Sequence, residues 1–132
     1  PRERVKADRS HEVPLSPLAI QLLQSLPRFE ADNGKEGELF VFTTTGGKRP
    51  FSGFSKRKKQ LDEKSKVTDW RLHDLRRTCG TNLGRLGVPM ATISQVLNHA
   101  QGGVTAIYNR HSYMPEKREA LEKWAKYLQE LV

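Results

Sequence analysis

The second half of the chain carries the most regular alternation of apolar and polar positions. Apolar residues recur there every three or four positions, at Leu72, Leu75, Cys79, Leu83 and Leu86. This spacing gathers them on one face of a helix, and a glycine commonly follows the last turn of such a helix. The pattern therefore predicts an amphipathic helix that ends at Gly87.

Two helices are predicted in the first half. Ser16 is a good N-cap residue and Pro17 suits the first helical position, while Pro27 stops the apolar pattern that follows. A basic helix is expected at roughly residues 52–64, and its positive side chains are expected to face outward. Its inward positions are predicted to be Phe51, Phe54 and Leu61.

Further helices are predicted after Gly87. One begins at Val88–Pro89 and is broken at Gly102–Gly103, a short stretch covers residues 105–108, and the last begins near Pro115. The positions predicted to face inward are Met90, Ile93, Val96 and Leu97 in the first, and the stem of Arg118, Leu121, Trp124, Leu128 and Leu131 in the last.

Two stretches are predicted to be extended. Residues 2–14 suit a short β-hairpin with its tip at Ala7–Ser10 and a second strand at His11–Val13, and Leu39–Phe42 is a short apolar run. The fold class that follows is mainly α with a small N-terminal antiparallel β-sheet. A chain of 132 residues is expected to form one domain.

The charge balance of the chain favours one class of binding partner. Lys and Arg number 23 against 15 Asp and Glu, which gives a net charge of +8 and favours a polyanion, although a solubilising surface would have the same balance. The single cysteine, Cys79, excludes an internal disulfide and fits a reducing compartment. No apolar run approaches the roughly 20 residues that a membrane helix needs, so we expect a cytoplasmic protein.

Four residues with catalytic chemistry follow one another in the second half. His73 and Arg76 are three residues apart, a spacing that places both side chains on one face of a helix. His99 comes just before a glycine pair, and Tyr108 lies nine residues beyond it. One cysteine without a CxxC pair is a poor zinc ligand set, so we expect no metal site here.

These residues lie in motifs that resemble a known family. The runs HDLRRT (73–78), GVPMATISQVLNHA (87–100) and TAIYNRH (105–111) look like the C-terminal catalytic domain of tyrosine recombinases, especially phage and prophage integrases. The opening VKADRSHEVPLS (5–16) is similar to that family's β-hairpin, which carries a catalytic lysine. The resemblance thus implies the tyrosine recombinase catalytic-domain fold.

The resemblance also implies a reaction. Tyr108 would attack a DNA phosphodiester and form a 3′-phosphotyrosyl bond with release of a 5′-hydroxyl. Arg76 and His99 would bind the phosphate oxygens, since a guanidinium can hold two of them at once. His73 would accept the tyrosine proton or orient the phosphate, and Lys6 would protonate the leaving oxygen. No cofactor is expected.

The chain lacks two parts of the family pattern. Family members carry another arginine upstream of the lysine hairpin and a separate N-terminal DNA-clamping domain, so residues 1–132 are expected to be an N-terminally truncated catalytic domain with little or no activity alone. The implied partner is double-stranded DNA, bound by a homotetramer that joins two duplexes. The fragment itself is expected to be monomeric. The resemblance also implies accessory DNA-bending proteins and a location at the nucleoid.

Several alternatives stay open at this point. The helices on either side of Gly87 also suit a non-catalytic helix-turn-helix-like DNA-binding module, and the same residues suit a type IB topoisomerase. Lys48 competes with Lys6 as the general acid, and the last helix could dock in cis or in trans. Tyr113 and Tyr127 are rival nucleophiles that we expect to be packing residues. Further DNA contacts are expected from Lys48, Arg49, Lys56, Arg77 and Arg110.

Overall fold

The structure is a computed structural model that describes residues 11–29, 39–99 and 111–132. Within these ranges the chain forms five helices: α1 (Pro17–Ser25), α2 (Phe54–Ser65), α3 (Leu72–Arg85), α4 (Met90–Val96) and α5 (Met114–Glu130). The chain divides into two compact units. The terminal unit comprises Pro1–Gln21 and His73–Val132, and the inner unit comprises Leu22–Leu72. None of the helices described is long and apolar enough to cross a membrane.

The predicted N-terminal antiparallel β-sheet is wrong, because the described ranges contain helices and loops but no strand. His11–Val13, the expected second strand of the hairpin, is irregular, and the carbonyl of Glu12 accepts a hydrogen bond from Lys117 Nζ at 2.6 Å. That carbonyl is therefore satisfied by a side chain instead of a neighbouring strand. The mainly α part of the predicted fold class agrees with the structure.

The apolar run at residues 39–42 is also irregular. It makes two backbone bonds across the following loop, from Phe40 N–H to Gly47 O at 3.0 Å and from Phe51 N–H to Phe42 O at 2.7 Å. Gly46 and Gly47 both have positive φ, so the loop curls back tightly on itself. Two bonds in such a loop do not make the repeating ladder that defines a sheet.

Helix α2 exposes apolar side chains that were expected to face inward. Phe54 and Leu61 are 57% and 49% exposed, whereas Phe51 is half-buried and meets the Phe54 ring edge-on at 4.8 Å between centroids. On the same helix Lys58 lies over the Trp70 ring at 4.9 Å and donates to Asp62 at 2.7 Å. The side-chain contacts of α2 are therefore made mainly by aromatic rings and by the Lys58–Asp62 pair, and not by a continuous apolar face.

The core of the terminal unit lies where α3, α4 and α5 meet. Leu83 is fully buried there, and the cluster consists of Leu83, Val88, Ile93 and Ala120, with Cys79, Val96, Leu97 and Trp124 packed against it. Helix α3 stops before Gly87 as predicted, and Gly87 has φ 76°. The N–H of Val88 bonds the Leu83 carbonyl at 3.0 Å, which turns the chain towards α4. The expected inward position Met90 is instead 74% exposed.

Helix α5 begins where it was expected but buries a different face. Lys117, Ala120 and Ala125 are buried, whereas Arg118 and Leu131 are exposed. Leu121, Trp124 and Leu128 are half-buried at the border of this face. Ala120 packs in the core cluster with Ile93 of α4, so small side chains occupy the buried face of α5 and larger ones lie at its edge.

Candidate active site

Helix α3 carries two of the catalytic candidates near its N-terminal end. It spans Leu72–Arg85, so His73 and Arg76 lie in its first turns, one turn apart on the same face. Both side chains are exposed. The helix that the sequence predicted therefore presents an imidazole and a guanidinium to solvent from one surface, which is what contact with an anionic substrate requires.

The Arg76 guanidinium links α3 to the end of α4. Its Nη2 donates a hydrogen bond to the backbone carbonyl of Leu97. Leu97 is the C-cap residue of α4, and the last carbonyls of a helix have no partner within it. Arg76 thus satisfies one of these carbonyls, and the bond brings the HxxR motif to the segment that carries His99.

The backbone around His99 is held by hydrogen bonds back into α4. Asn98 N–H bonds the Gln95 carbonyl at 3.2 Å, and His99 N–H bonds the Ser94 carbonyl at 2.9 Å. Asn98 has φ 50°, in the left-handed region. The His99 side chain is exposed. Arg76 and the backbone of His99 therefore converge on a single helix end, with both side chains open to solvent.

A glycine lets the two helices approach one another at this point. Gly80 lies one turn after Arg76 on α3, and a Cβ placed on it would lie 3.0 Å from Leu97 Cδ1 and 3.9 Å from Ile93 Cγ2. A larger residue would crowd the side chain of Leu97. The residue whose carbonyl accepts the bond from Arg76 therefore also packs closely against α3.

Arg76 also acts electrostatically on Cys79, which lies on the same helix. Partial burial raises the pKa of the Cys79 thiol above its ordinary value, and the positive charge of Arg76 opposes that rise to a smaller extent. Cys79 packs against the core cluster. A neutral, half-buried thiol is a packing residue, as the sequence suggested.

Three of the predicted site residues lie outside the described residues: Lys6, Tyr108 and Arg110. The predicted nucleophile and general acid are among them. The two rival tyrosines are described, and both contact aromatic neighbours. Tyr113 is the N-cap residue of α5 and lies edge-on to the His111 ring at 4.7 Å, while Tyr127 stacks on Trp124 at 5.6 Å. These contacts agree with the packing roles expected of them.

The remaining DNA-contact candidates fall in two places. Lys48, Arg49 and Lys56 belong to the inner unit and are exposed there. Arg77 lies beside Arg76 in the terminal unit, is also exposed, and contacts Asp74 at 3.2 Å. A surface ion pair of this kind contributes at most about 1 kcal/mol, so the guanidinium can exchange Asp74 for a phosphate at little cost.

Several residues that shape the site were not among those predicted from the sequence. These are Gly80, which follows Arg76 by one turn, the Leu97 carbonyl, and Asn98, which precedes His99. Gly80 and Asn98 leave a sequence signal, since glycine inside a helix and asparagine directly after one both suggest a special backbone role. The backbone carbonyls leave none, because every residue has one.

Comparison with known proteins identifies the family of the chain. The sequence model of the phage integrase family matches residues 3–114, which is most of the chain. The chain belongs to the phage integrase family. The integrase match includes every catalytic candidate between Lys6 and Tyr108, so the recognition made from the motifs is confirmed.

A curated relative of this integrase-family chain is named "Tyrosine recombinase XerC-like" and comes from Caldanaerobacter subterraneus subsp. tengcongensis. The two are 32% identical over 84 residues, which cover 63% of this chain and 22% of the relative. The integrase-family chain thus matches about a fifth of the length of that protein. No solved structure matches it.

Proposed function

We propose that this chain is the catalytic part of a site-specific DNA recombinase of the phage or prophage integrase type. The observation that carries the proposal is the hydrogen bond from Arg76 to the Leu97 carbonyl, which joins the helix of the HxxR motif to the helix end that precedes His99. Neither fold nor charge alone requires these two motifs to meet. A site that binds one phosphate with both residues does require it.

The exposed side chains of Arg76 and His99 suit a phosphodiester in the process of cleavage. A guanidinium has five N–H donors, so the bond to Leu97 leaves others for the non-bridging phosphate oxygens. The imidazole of His99 adds a donor to the same oxygens. Together they would offset the negative charge that develops on the phosphorus substituents when a nucleophile attacks.

In the proposed reaction the phenol oxygen of Tyr108 attacks the phosphorus, and the bond from phosphorus to the 5′-oxygen breaks. The phenol proton passes to His73, and the leaving 5′-oxygen takes a proton from Lys6. The product is a 3′-phosphotyrosyl bond, which retains the energy of the phosphodiester. A 5′-hydroxyl from another strand can therefore attack it and restore the DNA without ATP.

The proposal extends to the protein that contains this chain. The whole recombinase would supply a further arginine and a DNA-clamping domain, bind double-stranded DNA, and act as a homotetramer on two joined duplexes in the cytoplasm. Lys48, Arg49, Lys56, Arg77 and Arg110 are proposed to contact the DNA backbone, because cationic side chains can bind phosphates without regard to sequence. Accessory DNA-bending proteins would assist assembly.

The test is formation of a covalent protein–DNA complex. The polypeptide that carries this chain with its upstream segment is incubated with a pool of duplexes whose randomised region contains a nick. The nick lets the short fragment beyond the cleavage point diffuse away, so the phosphotyrosyl bond is trapped. Complexes that survive denaturant are isolated and their DNA is sequenced, which also yields the substrate for kinetic work.

We expect wild type to form the complex and Tyr108→Phe to form none, while both bind the selected duplex with similar affinity. Tyr113→Phe and Tyr127→Phe are matched controls and should react like wild type. A complex formed by Tyr108→Phe would refute the nucleophile assignment. If wild type binds DNA yet never forms the complex, the DNA-binding-module alternative is correct, and cleavage without exchange of strands between duplexes would identify the topoisomerase alternative.

A further inference from the structure

The C-terminal end of α4 has the hydrogen bonds of a complete Schellman motif. Leu97 is the C-cap, Asn98 follows it at φ 50°, and His99 comes next. The N–H of Asn98 bonds the Gln95 carbonyl at 3.2 Å, and the N–H of His99 bonds the Ser94 carbonyl at 2.9 Å. These are the two bonds, spanning three and five residues, that define the motif.

The motif depends on the left-handed conformation of Asn98. The same arrangement ends α3, where Gly87 has φ 76° and the bonds run from Gly87 N–H to Gly84 O and from Val88 N–H to Leu83 O. Glycine adopts this conformation without steric cost, and asparagine tolerates it better than most residues do. A β-branched residue is strongly disfavoured there, because its side chain collides with its own backbone.

Two groups of the proposed active site lie on either side of Asn98 in this turn. The carbonyl on the N-terminal side of Asn98 belongs to Leu97 and accepts the bond from Arg76, while the residue on its C-terminal side is His99. A change in the Asn98 backbone would therefore rotate the Leu97 carbonyl and redirect His99 at the same time. One backbone conformation sets the positions of two groups.

We propose that Asn98 is a positioning residue for strand cleavage, which acts through its left-handed backbone to hold the Leu97 carbonyl under Arg76 and to direct His99 towards the same phosphate. This inference rests on the function proposed above. It assigns no contact with DNA to the Asn98 amide. Its requirement is conformational, so glycine should replace asparagine and a β-branched residue should not.

The test compares Asn98→Gly with Asn98→Val in the upstream-extended polypeptide, on the duplex selected by wild type. Asn98→Gly should cleave within about threefold of wild type, because glycine adopts the same conformation. Asn98→Val should cleave at least about tenfold more slowly, since misplacing a catalytic group by about 1 Å can cost about a hundredfold in rate. The dissociation constant for DNA should change little in both variants, because the cations proposed to contact the DNA backbone are unchanged.

Gly53→Val is the matched control for strain. Gly53 has φ 81° and open space around its Cβ position, and it belongs to the inner unit. This variant should lose stability like Asn98→Val but keep the wild-type cleavage rate when both are assayed below their unfolding temperatures. If Asn98→Val does not fold, Asn98→Ala replaces it, with a smaller loss in the same direction.

The outcomes separate this inference from the proposed function. If wild type forms the covalent complex and Asn98→Val cleaves as fast as Asn98→Gly, the positioning role is wrong and the function stands. If Asn98→Gly is as slow as Asn98→Val, the amide side chain matters instead of the backbone, which also overturns the inference. Failure of the proposed function has a different result, namely a covalent complex that forms without Tyr108 or never forms.

Discussion

Two glycines in α3 give a sharp test of how closely this helix packs on α4. Glycine inside a helix costs about 0.5–1 kcal/mol relative to alanine, so Gly→Ala should stabilise the protein wherever there is room. At Gly84 the added Cβ would lie 3.9 Å from Ile93 Cδ1, which is an ordinary contact. Gly84→Ala should therefore raise the free energy of unfolding by about 0.5–1 kcal/mol.

The same substitution at Gly80 should not stabilise. The added Cβ would lie 3.0 Å from Leu97 Cδ1, whereas carbon atoms prefer about 3.5–4.0 Å, so the Leu97 side chain has to shift by a few tenths of an ångström. Overpacking of this kind costs about 1–3 kcal/mol, which equals or exceeds the gain in helix propensity. We therefore expect Gly80→Ala to be about 1–3 kcal/mol less stable than Gly84→Ala.

Equilibrium unfolding of the 132-residue chain in urea, followed by far-UV circular dichroism, measures this difference. Leu97→Ala is the second member of a double-mutant cycle, because it removes the atom that Gly80→Ala meets. In that background Gly80→Ala should recover the stabilisation seen at Gly84. Equal stabilisation by the two alanines in the wild-type background would show that α3 and α4 do not pack as closely as described.

Three further expectations concern the rest of the terminal unit. Lys117→Ala should destabilise by about 1–3 kcal/mol in urea unfolding, because it leaves the Glu12 carbonyl without its donor, and Lys117→Met, which keeps the apolar stem, should cost less. The hydrogen bond from His111 is the main reason that the pKa of Glu116 is lowered. The stability that this bond contributes is therefore complete above the unfolded-state pKa of Glu116 and is lost as pH falls through its folded-state pKa. Glu116→Gln should thus flatten the acid side of the plot of Tm against pH, and an unchanged acid side would contradict this. Burial raises the pKa of Cys79, so iodoacetamide should alkylate it more slowly in the folded chain than in urea, and equal rates would mean that the thiol is open to solvent.

Local features of the sequence were enough to predict the helices and the family. The end of α3 before Gly87 and the start of α5 near Pro115 agree with the structure. The apolar face predicted for α3 is buried only in its C-terminal half, since Leu72 and Leu75 are exposed and Leu83 is buried. Helix periodicity and end signals are properties of neighbouring residues, so they survive whatever the helix packs against. The order of His73, Arg76, His99 and Tyr108 likewise needed only the linear sequence, because family motifs are patterns of residue types at fixed spacings.

Other expectations failed because they depended on partners elsewhere in the chain. The predicted sheet is absent from the described residues, where the carbonyl of Glu12 accepts its hydrogen bond from Lys117 of α5 and not from a second strand. On α5, Ala120 and Ala125 are buried while Leu131 is exposed, and Ala120 packs with Ile93 of α4. Hydrophobicity alone favours the larger side chains for the core, whereas close helix packing favours the smaller ones.

The sequence by itself determined the family and most of the segments that are helical in the described residues, since both follow from residue types and short-range spacing. Only the tertiary structure decided that Arg76 meets the end of α4, because this contact is made to a backbone carbonyl 21 residues away. A carbonyl has no residue-specific signal, and this one lies where α4 ends in the left-handed turn at Asn98 and where the Leu97 side chain packs against Gly80 of α3. The geometry of the site is therefore a property of how two helices pack and end.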